Sequence, residues 1–376
     1  MKRLTPRYAN WLQHRQNRVR KRTSRRVRVV EMVSSTGVWM AKAANSTSMP
    51  KILCFDRNGP ETIATLSQIR RRLNTPTRGT LSSRKFSKHR NARPRWTGHY
   101  RRFETIESIA PAAALVLAAE YERILHLTGV AGRVIDAERW QPEVIDTLWD
   151  IGFFDIVGIP QNLEKPDLQR SFAILPMRSG HTADSPAVSA LLGDLRSLYP
   201  GGSDPAEERM LQLYGAMVEG IVNVVRHAYP ENATYPFRPI NRWWMTGAVD
   251  RENRWTTAVI YDQGVTIPVS LPNWEHYSGV SRRILSAIGL VPKPDDPRSD
   301  GEAIAAAVEE SVSSTGEPHR GHGLAQMRDF VNQCREGYLR IMSRHGEVIF
   351  GEGGKLEIKT HNVSIGGTLI EWGVLL

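Results

Sequence analysis

The sequence predicts a mixed α/β protein, and three observations carry that reading. Short strand-length apolar runs alternate with helical stretches between residues 51 and 160, a long helical pattern follows Asp204-Pro205, and four closely spaced strand signals finish the chain. At 376 residues there is room for two to three domains, each with a sizeable core.

In order, Lys51 to Phe55 reads as a short strand closed by the turn chemistry of Asp56-Arg57-Asn58-Gly59-Pro60, and a helix follows from Glu61 to Leu73. Pro111 opens a helix over Ala112 to Leu127 that is apolar on most of its surface and therefore buried. Strand Arg133 to Ile135, helix Glu143 to Ile151 and strand Phe153 to Val157 complete a small α/β domain over residues 51–160. Pro160 to Pro166 reads as a linker. The second domain, 161–376, opens with strand Ser171 to Pro176, a helix near Pro186 to Leu198 and a long helix from Ala206 to Ala228. Then come strand Trp255 to Tyr261, an Ala-rich helix from Glu302 to Ser313 and helix Ala325 to Cys334. The strands Tyr338 to Ser343, Val348 to Phe350, Lys355 to Thr360 and Thr368 to Trp372 close the chain.

The net charge of +11 is unevenly spread. Residues 1–30 hold 11 Lys or Arg and residues 70–102 hold 12, neither with an acid, so the remainder carries −12. An anionic partner would be met through those two segments. Residues 1–50 lack apolar periodicity and are expected to be a basic, disordered segment. An Arg-rich, acid-poor start also suits an organellar transit peptide or translation upstream of a start such as Met49. Residues 74–102 read as a basic loop or insertion. No apolar run reaches membrane-spanning length and no secretory signal opens the chain, so a cytoplasmic protein is expected. Cys54 and Cys334 stand too far apart in number and sequence for a zinc site or disulfide framework and read as reduced and structural.

Four segments carry chemistry. On the helix from Ala206 to Ala228, a turn of about 100° per residue places Leu211, Tyr214, Val218, Ile221, Val222 and Val225 on one stripe and Glu219, Asn223 and His227 on the next. A carboxylate can activate a water, an amide oxygen can complete the shell of a hydrated Mg²⁺, and an imidazole can meet phosphate; a solvated helix face would carry the same pattern. Asp262-Gln263-Gly264 sets a carboxylate at a strand end, able to accept from an amino group on a base. Gly316 to Leu324 is a glycine-bearing loop that leads into a helix N-terminus, a natural anion site. Gly366-Gly367-Thr368 opens the last strand with a hydroxyl able to reach a base or its bridging water.

Taken in this order and spacing, the four segments resemble the GHKL superfamily, whose members include gyrase B subunits, heat-shock chaperones, mismatch-repair proteins, sensor histidine kinases and anti-sigma-factor kinases. Glu219-Gly220-Ile221-Val222-Asn223 with His227-Ala228 is similar to the asparagine box, and Asp262-Gln263-Gly264 to the first glycine box. Gly321-His322-Gly323-Leu324 is similar to the second glycine box and Gly366-Gly367-Thr368 to the threonine box. The resemblance covers most of residues 204–376 and implies a Bergerat-type α+β two-layer sandwich that binds ATP and Mg²⁺. It implies Asn223 on the metal, Glu219 as general base and Asp262 on the adenine amino group. Gly321 and Gly323 would lie in a lid over the phosphates, with His227, Gly264, Leu324 and Thr368 completing the nucleotide contacts. Many members carry a second glycine where Thr266 stands, which implies a narrower adenine pocket or weaker binding here. The lid would span Ile267 to Arg320.

Residues 106–156 resemble a STAS-type domain, although the stretch Ser108-Ile109-Ala110-Pro111-Ala112 does not carry over that family's phosphorylatable serine. A sensor histidine kinase would show a phosphoacceptor helix hairpin before the catalytic domain, and a gyrase-like ATPase a transducer domain after it. Neither pattern is present in this sequence. The expectation is therefore an ATP-dependent switch or anti-sigma-like Ser/Thr kinase acting on a partner protein. The alternative is an ATP-gated module holding RNA or DNA through its Arg-rich segments. A homodimer is compatible with either.

Overall fold

The computed structural model describes residues 29–34, 37–74, 97–129, 132, 134, 137–160, 162–199, 207–271, 296–313 and 323–376. Strands β1 (Val29–Ser34) and β2 (Gly37–Ser48) pair antiparallel, and β4 (Thr97–Arg102) joins β2 in parallel. Residues 29–34 and 37–48, within the segment expected to be disordered, are instead strands, and the basic insertion re-enters a sheet at Thr97. The run Val29-Val30-Glu31-Met32-Val33 is rich in strand-forming valine but does not alternate, and the neighbouring Arg tract obscures it. The Arg-rich stretch of residues 1–28 and most of 75–96 lie outside the described residues.

Strand β3 (Ile52–Leu53) pairs in parallel with β5 (Ser108–Ile109), and α1 (Phe55–Asn74) begins two residues after β3. The turn expected at Asp56 to Pro60 is instead a kink inside this helix. Asn58 leaves helical geometry at φ −151°, so Pro60 sits near the start of the longer helical run, where its missing N–H costs little. Helix α2 (Pro111–Thr128) has proline in its first turn and ends at Gly129, φ 66°, whose N–H returns to the Leu125 carbonyl. Its run from Ala112 to Ala119 is buried all round, as the apolar sequence requires.

Helices α3 (Pro142–Asp150) and α4 (Phe153–Val157) follow. The strand expected at Phe153 to Val157 is a helical turn, bounded by Gly152 and Gly158 at φ 83° and 84°. A five-residue apolar run is too short for periodicity to separate strand from helix. Aromatic packing decides it, because Phe153 meets Tyr121 edge-on at 5.0 Å while Phe154 lies 5.3 Å from Trp149. The strand expected at Arg133 to Ile135 lies mostly outside the described residues.

The remaining elements are β6 (Phe172–Ile174), β7 (Arg178–Gly180), α5 (Ser185–Ser197), α6 (Glu207–Asn223), β8 (Trp243–Asp250) and β9 (Trp255–Asp262). They continue as α7 (Ile267–Ser270), α8 (Asp300–Ser313), α9 (Gly323–Gln333), β10 (Gly337–Ser343), β11 (Gly346–Gly351), β12 (Leu356–Thr360) and β13 (Thr368–Leu375). An antiparallel sheet runs in the order β12-β11-β10-β13-β9-β8-β6, with β7 also paired to β8. Strand β8 was not anticipated. Both of its faces are buried, so Trp243-Trp244-Met245 reads as a continuous apolar run rather than an alternation.

The sheet has apolar residues on both sides. On β9, Ala258 and Ile260 join a core with α5, α6, α8 and α9, whereas Val259 and Tyr261 join a second core with α1 to α4. The expected two-layer sandwich is thus helix, sheet, helix, because Trp244, Tyr261 and Leu369 need cover and residues 49–157 supply it. The mixed α/β class holds. Buried Arg340 on β10 links the layers by pairing with Glu347, Glu371 and Asp56 of α1 at 2.9, 2.8 and 2.9 Å. Both cysteines are free thiols. Among the described residues, no helix is long and apolar enough to cross a membrane.

Candidate functional site

Helix α6 and the wider turn that extends it, Val224–Ala228, form one wall of the site. The helix is rotated from the expected stripe. Its buried residues are Met210, Leu213, Ala216, Met217, Gly220 and Ile221, while Leu211 and Val225 are 67% and 40% exposed. Apolar residues on nearly every face of this helix leave its phase ambiguous in the sequence, and packing against α9, α5 and β9 in one core sets it. Gly220 is central to that contact, since a Cβ there would come within 2.8 Å of Ile260.

Asn223 and His227 consequently line a pocket that opens to solvent. Asp262, Leu324 and Thr368 line the same pocket, as do Val265, Thr266, Ile267 and Ile370. Glu219 stands one turn before Asn223, outside the lining residues but beside Gly323. A Cβ on Gly323 would come within 2.7 Å of the Glu219 carboxylate and 3.3 Å of the Asn223 amide nitrogen, so the start of α9 lies close to both side chains. Gly321, His322 and, of the lid expected from Ile267 to Arg320, residues 272–295 and 314–320 lie outside the described residues.

Asp262 ends β9 at the pocket floor and is 4% exposed. Burial pushes its carboxyl up to about 7, despite hydrogen bonds from the N–H groups of Gly264, at 2.7 Å, and Thr368. A carboxyl so poised is half ionised near neutrality and offers an acceptor for a donor group entering the pocket. The Tyr229 hydroxyl is held well above its ordinary value by burial and by the nearby Asp262 charge. It accepts from the Gln263 N–H at 2.9 Å and donates to the Arg242 carbonyl at 2.6 Å. The Val265 N–H donates to the Ala228 carbonyl at 2.8 Å, fastening the segment after β9 to the end of α6. Gly264 lies so close to that carbonyl that a Cβ would overlap it.

Thr266, where the resemblance places a glycine, adopts φ 78°, a backbone conformation natural to glycine and strained for a β-branched residue. Its buried hydroxyl finds no partner among the described residues. Thr368 exchanges a 2.9 Å hydrogen bond with Ser343, and the Ser343 hydroxyl also accepts from the Ile267 N–H at 2.9 Å. His227 is exposed at the pocket edge. Its imidazole lies below the ordinary value, first because one side is desolvated and then because Arg226 is adjacent.

Asn223, His227, Asp262, Leu324 and Thr368 are therefore brought together, with Glu219, Gly264 and Gly323 immediately behind them. Sequence reasoning missed Ser343 and Tyr229. Tyr229 had a signal in its position directly after His227-Ala228, whereas Ser343 is found only through the pairing of β10 with β13. Among the described residues no group of three or more His, Cys, Asp or Glu side chains could hold a metal ion. No model of a known protein family matches the chain, and no curated protein matches it.

Proposed function

We propose that this chain is an ATP-Mg²⁺-binding regulatory protein of the GHKL type, acting as a nucleotide-dependent switch or Ser/Thr protein kinase on a partner protein. One observation carries the reading: segments around 223, 262, 324 and 368, far apart in sequence, converge on one pocket. The antiparallel sheet with α6 and α9 on one face suits a Bergerat-type fold, and the helices on the other face are the reading's regulatory layer. A STAS-like identity for that layer has little support, since the expected strand at Phe153 to Val157 is helical.

The donors fit the nucleotide. Asp262 accepts from the exocyclic amino group of adenine, and the Thr266 hydroxyl, buried and without a partner among the described residues, is available to the base. Ile267, Leu324 and Ile370 supply apolar walls for a flat ring. Asn223 offers one amide oxygen to Mg²⁺. That suits a metal held chiefly by waters and phosphates. The metal would neutralise phosphate charge when bound. Glu219, beside Asn223 and the start of α9, orients or deprotonates the attacking water or hydroxyl. His227 meets phosphate at the pocket edge.

The reading is tested with purified full-length chain and ATP carrying a labelled γ-phosphate, in a lysate fraction and alone. Label transferred to a Ser or Thr of another protein, or a partner retained only with ATP present, supports it. A chain that binds ATP but transfers no phosphate and alters no partner's affinity contradicts it.

A further inference from the structure

Behind the pocket, on the opposite face of the sheet, lies a buried cluster of charge that the chemistry above does not use. Arg70, near the end of α1, is 2% exposed. Its guanidinium donates to the Tyr261 hydroxyl at 2.9 Å, to the Ile365 carbonyl at 2.6 Å and to the Glu120 carboxylate. Glu120, on α2, is fully buried and also accepts from Arg123 at 2.9 Å and from the Gln263 side-chain amide at 3.0 Å. Two guanidinium groups around one carboxylate form an arrangement that apolar residues of similar volume could replace without loss of stability.

The partners of this cluster are the neighbours of the pocket residues. Tyr261 precedes Asp262 and Gln263 follows it. The Gly366-Gly367 turn that delivers Thr368 is clasped from both sides. A Cβ on Gly366, φ 81°, would overlap the Arg70 guanidinium, and one on Gly367, φ 159°, would overlap the Asp262 carbonyl. Arg70 therefore bears on the turn from beneath, while Glu120 grips the strand end through Gln263. The second buried charge cluster, around Arg340, joins the same two layers, but its sheet partner Glu371 lies three residues along β13 from Thr368.

We propose that Arg70 and Glu120, both supplied by the N-terminal helical layer, are positioning residues for the pocket. Through Gln263, Tyr261 and the Gly366-Gly367 turn, they fix the backbone on which Asp262 and Thr368 stand. The helical layer thereby sets the pocket's geometry as well as covering the sheet, and a change in how that layer packs is transmitted to the pocket floor. The consequence for ligand affinity rests on the nucleotide reading above; the consequence for backbone order does not.

The test uses full-length wild type, Gln263→Leu, which leaves the Arg70, Glu120 and Arg123 group intact, and Arg70→Lys, which keeps the charge but loses the forked donors. Glu371→Gln, in the Arg340 cluster, is the control for a merely structural loss. Amide hydrogen exchange is read at Gly264 and Thr368 against the rest of the sheet, and ATP affinity is measured alongside. Exchange at those two amides is expected to rise about 3- to 30-fold in Gln263→Leu and Arg70→Lys and to stay at the wild-type rate in Glu371→Gln. ATP affinity is expected to fall over the same range. Faster exchange at the two amides supports positioning even if wild type binds no ATP, in which case the nucleotide reading alone fails. Exchange that rises uniformly across the sheet in all three variants, or not at all at the two amides, overturns the proposal.

Discussion

Asp262 and Thr368 stand directly opposite each other on β9 and β13, and the Thr368 N–H donates to the Asp262 carboxylate. One strand pairing thus joins two of the four motif segments and fixes the pocket floor. Sheet register, rather than a flexible loop, sets the distance between a carboxylate and a hydroxyl that would read the same ligand.

This pairing makes stability depend on pH. Burial raises the folded Asp262 carboxyl from the usual 3.8 to about 7, so between those values the folded chain binds more protons than the unfolded one. Its contribution is therefore fully present below about pH 4 and is lost as pH rises through about 7. Asp262→Asn should remove that loss and gain on wild type by a few kcal/mol between pH 5 and 8, as read by denaturant titration at each pH.

The same carboxyl predicts how the ligand responds to pH. The ionised carboxylate is a stronger acceptor for adenine's amino group than the neutral acid, so ATP affinity should climb by up to about tenfold from pH 6 to pH 8 as Asp262 ionises. Isothermal titration at several pH values checks this, and a flat profile would remove Asp262 from the contact. Tyr229, Tyr235 and Tyr261 share its electrostatic surroundings but titrate far above this window.

Thr266 carries two costs, a positive φ and an unpartnered buried hydroxyl. Thr266→Gly should be neutral or stabilising by up to about 2 kcal/mol, because relief of roughly 1–3 kcal/mol of backbone strain exceeds glycine's added entropy. It should also open the pocket and tighten nucleotide binding. Thr266→Val keeps the shape and should stabilise the free protein by about 1 kcal/mol while weakening ATP, if the hydroxyl meets the base. Thermal melts with and without ATP separate these effects.

Gly264→Ala should destabilise by about 1–3 kcal/mol, since its Cβ would overlap the Ala228 carbonyl and neither backbone can yield cheaply. The loss should appear as a lower denaturant midpoint with unchanged slope. Gly353→Ala, at φ 68° but with open space around it, tests whether conformation alone gives a smaller loss.

Much of this site was legible because its chemistry sits in short, locally coded segments. A strand ending in Asp262, a polar stripe at 219, 223 and 227 and a glycine pair before Thr368 all carry their own signals, and Asn223, His227, Asp262 and Thr368 line one pocket with Glu219 outside it. Long-range packing was not legible. The phase of α6 was misjudged because Leu211 and Val225 look as apolar as Leu213 and Val224, and only burial in the core shared with α5, α9 and β9 distinguishes them. The third layer was missed for a related reason, since Val259 and Tyr261 read as an ordinary buried strand without naming what covers them. Arg70 looked like part of a basic run, yet the fold buries it.

The most direct test is equilibrium titration of the purified full-length chain with ATP and Mg²⁺, beside Asn223→Ala and Asp262→Ala, with folding of each verified by circular dichroism. Saturable binding by wild type, lost in Asp262→Ala and no longer strengthened by Mg²⁺ in Asn223→Ala, is the predicted result. No binding by folded wild type, or equal binding by all three proteins, would contradict a nucleotide site in this pocket.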